Sequence, residues 1–166
     1  MKVGVVMGST SDLEVMTPAI ETLEQFGIEV DKRVISAHRA PHELMKWAES
    51  ARERGLGIII AGAGGAAHVA GVTAALTTVP VIGVPINSTL DGMDALLAIV
   101  QMPPGIPVAT VGVNASLNAA ILAVEMLSLA DDALATRLAD YKENLKKKIE
   151  KANEELKGLE YEYKTN

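Results

Sequence analysis

The segment Val34-Ile35-Ser36-Ala37-His38-Arg39-Ala40-Pro41 places a proton carrier and a fixed cation directly behind an apolar run. Histidine exchanges protons near neutrality, with an unperturbed pKa of roughly 6.5. Arginine stays charged, and its planar fork matches a phosphate or a carboxylate. Ser36 adds a hydroxyl, and Pro41 fits the first position of a helix whose leading N–H groups are open to an anion. A single His-Arg pair of this kind is most often solvated surface. Two further polar loops, each at the end of another apolar run, change that reading.

The first is Gly8-Ser9-Thr10-Ser11-Asp12. Ser9, Ser11 and Asp12 offer two hydroxyls and a carboxylate, suited to a phosphate and a ribose diol. N-capping explains Ser11 or Asp12 equally well, and Ser11 with Glu14 fits a capping box. No lysine follows the glycine, so this is not a P-loop.

The second is Gly62-Ala63-Gly64-Gly65-Ala66-Ala67-His68. It formally matches G-x-G-x-x-A, but Val84-Pro85-Ile86 stands where a dinucleotide fold needs an acidic residue. It reads better as a small pocket walled by backbone, fit for a planar carboxylate or a CO2-sized fragment; tight helix–strand packing is the rival explanation. His68 either hydrogen-bonds a carboxylate or caps the loop. His42 follows His38 by four residues, a metal-like spacing. Pro41 between them places His38 outside the helix, so no metal site is expected. Asp91 and Asp94 read as solvated or capping.

The elements that must hold these loops alternate. Strands are expected at Lys2–Met7, Ile28–Ile35, Gly57–Ala61, Val79–Pro85 and Pro107–Val111. Between them fall helical stretches: one with Leu13, Met16, Ile20 and Leu23 on one face, interrupted by Pro18, which should kink or restart it; one with Leu44, Ala48 and Ala51 inward; a short one to Leu76; and Met93–Gln101. Asn114–Ala130 follows, apolar almost all round. The pattern predicts an α/β, flavodoxin-like, three-layer fold with a doubly wound five-stranded parallel sheet. Ligands in such folds sit beyond the carboxyl ends of the strands, where all three polar loops lie. From Asp131 the composition shifts, and Leu134, Leu138, Tyr141, Leu145, Ile149 and Leu156 mark one stripe of a long C-terminal helix. The chain reads as a single domain, 1–166: an α/β core over 1–130 and a helical tail over 131–166 that docks on a neighbouring subunit and frays from about Gly158.

The totals agree. The 166 residues are 49% hydrophobic but only 3% aromatic, so the core is built of small residues with close backbone approach. A net charge of −6 argues against nucleic acid or an anionic membrane as partner. With no cysteine, disulfides, thiolate nucleophiles and cysteine-bound metals are excluded. No run approaches the roughly 20 apolar residues of a membrane span, and a cytoplasmic location is expected.

Taken in order, GSTSD, SAHRAP, AGAGGAAH, GVP and IVQMPPGIPVAT resemble the N5-carboxyaminoimidazole ribonucleotide mutase (PurE) family of purine biosynthesis, from about residue 2 to about residue 130. The resemblance implies an enzyme, an isomerase that moves a carboxylate from the exocyclic nitrogen of the ribonucleotide to ring carbon C4 without metal or organic cofactor. It places the family's catalytic histidine on His38 and its substrate contacts on Ser9, Ser11, Asp12, Ser36 and Arg39. The glycine loop and second histidine fall on Gly64, Gly65, Ala66 and His68. It also implies a homo-oligomer, typically an octamer. Val69-Ala70-Gly71 departs from the family's frequent Leu-Pro-Gly. Two alternatives stand beside this reading: an aminoimidazole ribonucleotide carboxylase that uses CO2 directly, whose animal type carries a lysine after the histidine, and a non-catalytic nucleotide-binding module.

Overall fold

The computed structural model describes residues 2–159. The chain divides into two compact units, Met1–Leu127 and Ser128–Asn166. The first holds β1 (Lys2–Met7), α1 (Leu13–Gln25), β2 (Glu29–Val34), α2 (Pro41–Glu49), β3 (Leu56–Gly64), α3 (His68–Leu76), β4 (Val81–Ile86), α4 (Met93–Val100), β5 (Ala109–Thr110) and nearly all of α5 (Ser116–Ser128). The five strands form one parallel sheet in the order β2-β1-β3-β4-β5. This is the doubly wound flavodoxin-like order, with its switch point between β1 and β3.

Side chains on β3 alternate between the two faces, as strand geometry requires. Ile59, Ala61 and Ala63 share a buried cluster with Leu44 and Trp47 of α2, Ala70 of α3 and Ile99 of α4. Gly62 points to the opposite face, where an added Cβ would run into Met16 of α1. On β1, a Cβ at Gly4 would come within 3.0 Å of the Trp47 ring. These glycines let helices lie directly on the sheet, which is how a core so poor in aromatics closes. The β2 edge is mostly exposed and carries charge, with Lys2–Glu29 paired at 2.7 Å and Arg33–Asp31 at 3.5 Å. Charged side chains of this kind blunt an open sheet edge.

Several expectations need correction. β3 runs three residues past Ala61, so Gly62, Ala63 and Gly64 are strand rather than loop. β5 is only two residues long and begins after Pro107, which has no N–H to give a ladder. α1 continues through Pro18, which is solvent-exposed, and its early turn is tied by Thr17 Oγ1 donating to the Leu13 carbonyl at 2.7 Å. Leu13 fits the helical spacing but is 48% exposed, while Met16, Ala19, Ile20 and Leu23 form the buried face. α5 is buried along Ala119, Ala120, Ala123, Val124 and Leu127, whereas Leu117 remains exposed.

The second unit contains α6 (Asp132–Lys157). Asp131 caps it, its carboxylate accepting the Leu134 N–H at 2.9 Å. Leu145, Ile149 and Leu156 of the expected stripe are exposed. The tail's expected fraying falls mostly on residues outside those described.

Candidate active site

Register brings the loops together. Met7, the last residue of β1, lies beside Val34 at the end of β2 and Gly62 near the end of β3, and Gly64 lies beside Ile86 at the end of β4. The loops leaving these strands line a cleft of about 240 Å³. It lies at the switch point, where the fold rule puts a ligand.

The β1 loop is a 3-10 turn, Thr10–Asp12, ahead of α1. Ser9 is extended, and its N–H donates to Asp12 Oδ2 at 3.0 Å. Ser9 Oγ accepts from the Ser11 N–H at 3.3 Å and the Ser11 hydroxyl at 3.0 Å. The capping box is therefore Ser9 with Asp12, not Ser11 with Glu14. Asp12 is only 8% exposed. Burial pushes its carboxyl above the ordinary range, against the opposing pull of hydrogen bonds from the Ser9 and Gly8 backbone and the Ser11 hydroxyl.

In the β2 loop, Ser36 Oγ accepts both the Arg39 N–H and its Nε–H, each at 3.3 Å. This fixes the guanidinium by its inner nitrogen and leaves its two outer nitrogens for an anion. Pro41 opens α2 at its first position, as the sequence indicates. His38 projects from the loop ahead of it, outside the helix, while His42 is exposed in the first turn. Among the described residues, no three His, Asp or Glu side chains converge in a group that could hold a metal ion.

The β3 loop turns through two left-handed residues, Gly65 at φ 59° and Ala67 at φ 48°, closed by Ala67 N–H donating to the Gly64 carbonyl at 3.1 Å. α3 then starts at His68 with no side chain capping its first N–H groups. Gly64, Ala67 and His68 line the cleft; Gly65 and Ala66 do not.

His68 meets His38 across the cleft. His38 Nε2 lies 2.6 Å from His68 Nδ1, with the rings edge-to-face at 79° and their centroids 4.8 Å apart. At that distance one ring nitrogen donates and the other accepts. A second proton on the contact would set two N–H groups against each other. Asp12 and Arg39 line the same cleft.

Of the ten residues singled out from sequence, eight line the cleft: Ser9, Ser11, Asp12, Ser36, His38, Arg39, Gly64 and His68. The sequence reading missed Ser88, in the loop after β4, which also lines it. Its signal was position alone, a hydroxyl at the end of a fourth strand. The assembled cleft offers an anion clamp, a cluster of hydroxyls beside a buried carboxylate, and a paired proton carrier over a floor of glycine and alanine.

Comparison with known proteins follows the same line. The sequence matches the family model described as AIR carboxylase over residues 2–148. It is 56% identical over 147 residues to the N5-carboxyaminoimidazole ribonucleotide mutase of Pyrococcus abyssi, covering 88% of this chain and 84% of that one. It is 51% identical over 157 residues to the mutase of Bacillus subtilis, covering 93% and 97%. It is also 53% identical over 154 residues to the chloroplastic phosphoribosylaminoimidazole carboxylase of Vigna aconitifolia, but spans only 28% of that longer protein. The crystal structure of Treponema denticola PurE matches with a TM-score of 0.83 at 28% identity, over 93% of this chain and 98% of that one.

Proposed function

Because this chain belongs to the AIR carboxylase family, we propose that it is an isomerase of de novo purine biosynthesis that converts N5-carboxyaminoimidazole ribonucleotide to 4-carboxyaminoimidazole ribonucleotide. The observation that carries the mechanism is the His38–His68 contact beside the glycine floor of the cleft.

The chemistry follows from what these groups can do. The bond between the exocyclic nitrogen and its carboxylate breaks, CO2 leaves, and the nitrogen keeps the electron pair and takes a proton from His38. Ring carbon C4 then attacks the CO2, forming the new carbon–carbon bond. The C4 proton passes back to His38, restoring the aromatic ring. Protons and electrons balance, so the sequence asks for no cofactor and no metal. His68 hydrogen-bonds the His38 ring and holds its orientation. Arg39 clamps the phosphate, and Ser9, Ser11, Asp12 and Ser36 hold the phosphate and ribose. Retaining CO2 beside its acceptor makes recapture a local event rather than a second-order encounter.

The test is direct conversion of the N5-carboxylated ribonucleotide by purified protein, without ATP, metal or bicarbonate. His38→Asn should lower turnover by about 100- to 10,000-fold, the usual worth of general acid–base help. Near-normal turnover in that variant would remove His38 from the mechanism. Product arising only from aminoimidazole ribonucleotide and bicarbonate would identify a CO2-using carboxylase instead.

We also propose a homo-octamer acting in the cytoplasm. Two exposed apolar stripes support self-association: Met93, Leu97 and Val100 on α4, exposed at 54, 52 and 52%, and Leu145, Ile149 and Leu156 on α6. Light scattering on the purified protein gives the subunit number; a monomer would refute the assembly.

A further inference from the structure

We propose that Ser88 is a substrate-contacting residue whose hydroxyl holds the migrating CO2 over Gly64. The inference rests on the reading of the protein as a carboxylate-moving isomerase and assigns a residue to its least described step.

The argument begins with the cleft's hydroxyls. Ser9 and Ser11 are hydrogen-bonded to each other, and Ser36 accepts twice from Arg39. Ser88 also lines the cleft; it is exposed, and its hydroxyl makes no hydrogen bond to the described residues. It lies in the loop after β4, which the strand order puts on the other side of β3 from the β1 and β2 loops. A Cβ built on Gly64 would lie 2.6 Å from Ser88 Oγ. The hydroxyl therefore occupies the space that a side chain at position 64 would fill, facing the glycine floor.

Its position is fixed from both sides. The Asn87 N–H donates to Asn114 Oδ1 at 2.9 Å. The Thr89 hydroxyl donates to the Asp94 carboxylate, and this hydrogen bond holds the carboxyl below its usual range. Past Thr89 the chain takes three successive left-handed residues, Leu90 at φ 46°, Asp91 at 55° and Gly92 at 80°. Non-glycine residues adopt that region only where their surroundings demand it. This turn returns the chain from the cleft to α4 within a few residues, with Ser88 just ahead of it.

An O–H on a tethered loop beside a backbone floor suits a small linear acceptor. Donating to one oxygen of CO2 retains it and draws electron density from its carbon, favouring attack by C4. No bond to Ser88 forms or breaks; it donates a hydrogen bond and keeps its proton.

The experiment runs the wild type, Ser88→Ala and Ser88→Thr on the N5-carboxylated ribonucleotide in ¹³C-labelled bicarbonate. Three quantities are read: turnover, label in the C4 carboxylate, and aminoimidazole ribonucleotide lost to solution. Ser88→Ala should lower turnover roughly 10-fold, as expected for one hydrogen bond to a charged or charge-developing group. It should also raise labelled product and lost intermediate several-fold, because CO2 escapes and exchanges before capture. Ser88→Thr, which keeps the hydroxyl, should restore most of the retention. Wild-type turnover and labelling in Ser88→Ala would overturn the proposal while leaving the isomerase reading intact. Absence of conversion by the wild type would overturn both. A loss of turnover without extra label or lost intermediate would assign Ser88 to positioning and likewise overturn the retention role.

Discussion

Gly64→Ala and Gly65→Ala should cost similar stability and very different activity. At Gly64 the new Cβ would meet Ser88 Oγ at 2.6 Å, the Ile86 carbonyl at 3.0 Å and Ser88 Cβ at 3.1 Å. The Ser88 side chain can swing away, but the Ile86 carbonyl is held in the sheet beside Gly64. Overpacking of this kind costs about 1–3 kcal/mol. At Gly65 nothing lies within 4 Å of the Cβ, but φ is +59°. A left-handed alanine costs about 1–2 kcal/mol, partly offset by about 0.4–1 kcal/mol from the stiffer unfolded chain. In a chain of this length each kcal/mol is worth about 2–4 °C, so both variants should melt a few degrees low. Activity separates them. The Gly64 methyl stands in the cleft and displaces Ser88, so kcat/KM should fall at least ~10-fold, or about 1.4 kcal/mol of transition-state stabilisation. Gly65 does not line the cleft, and its variant should stay within about threefold of wild type. Thermal melts and turnover on the same preparations decide it. Equal activity losses in the two variants, or normal turnover in Gly64→Ala, would refute the placement of Gly64 as the cleft floor.

Two further outcomes follow from the side chains around the cleft and beneath the sheet edge. Burial raises the Asp12 carboxyl, so the folded state holds its proton more tightly than the unfolded chain, and the ionised form is the unfavourable one. Asp12→Asn keeps an oxygen to accept the Ser9 N–H; it should melt no lower than wild type at pH 7, with its advantage vanishing as pH falls below about 3.9, where wild-type Asp12 is protonated in both states. Its KM should rise, and an advantage that grew on acidification would contradict the sign. Arg54 donates through Nε to Ser50 Oγ at 3.1 Å, through Nη2 to the Trp47 carbonyl at 2.6 Å and through Nη1 to Asp31, with its guanidinium 5.2 Å from the Trp47 ring centroid. Arg54→Lys keeps the charge and loses the fork, so it should melt lower, by about 1–3 kcal/mol of hydrogen bonding, with turnover within about twofold. An unchanged melt would mean that the fork adds nothing to the point charge.

The fold was legible because each level of the sequence repeats the same instruction. Short apolar runs alternate with 3.6-residue periodicity, and an alternation of strands and helices has few right-handed parallel solutions. The errors lie where residue type and environment disagree. Gly62-Ala63-Gly64 has the composition of a loop, yet small residues there are what let α1 and the Ser88 loop approach an extended β3. Leu13 has the spacing of a core residue and the exposure of a surface one, because spacing names a face and not what covers it. Ser11 and Glu14 have the spacing of a capping box, but so do Ser9 and Asp12, three residues apart. The chain turns two residues earlier, into a 3-10 turn, and the earlier pair closes.

The site divides along the same line. Residues announced by their own chemistry, such as His38, Arg39 and Asp12, were found from type and position. Relations between residues were not. His38 and His68 are thirty positions apart, and each offers several partners when read alone; their contact exists because β2 and β3 both pair with β1, β2 ending beside Met7 and β3 two residues past it. Ser88 carries no motif, and Asn87-Ser88-Thr89 reads as an ordinary polar loop. Its meaning comes from a missing side chain at Gly64 and from two anchors, Asn114 and Asp94, that hold the loop against the cleft. A site of this kind is specified as much by where the chain has no atoms as by where it has reactive ones. A fragment as small and weakly polar as CO2 gives side chains little to grip, so retention falls to shape, backbone and a single directed hydroxyl. That is why the glycine loop, chemically the least expressive stretch of the sequence, lies opposite its most expressive one.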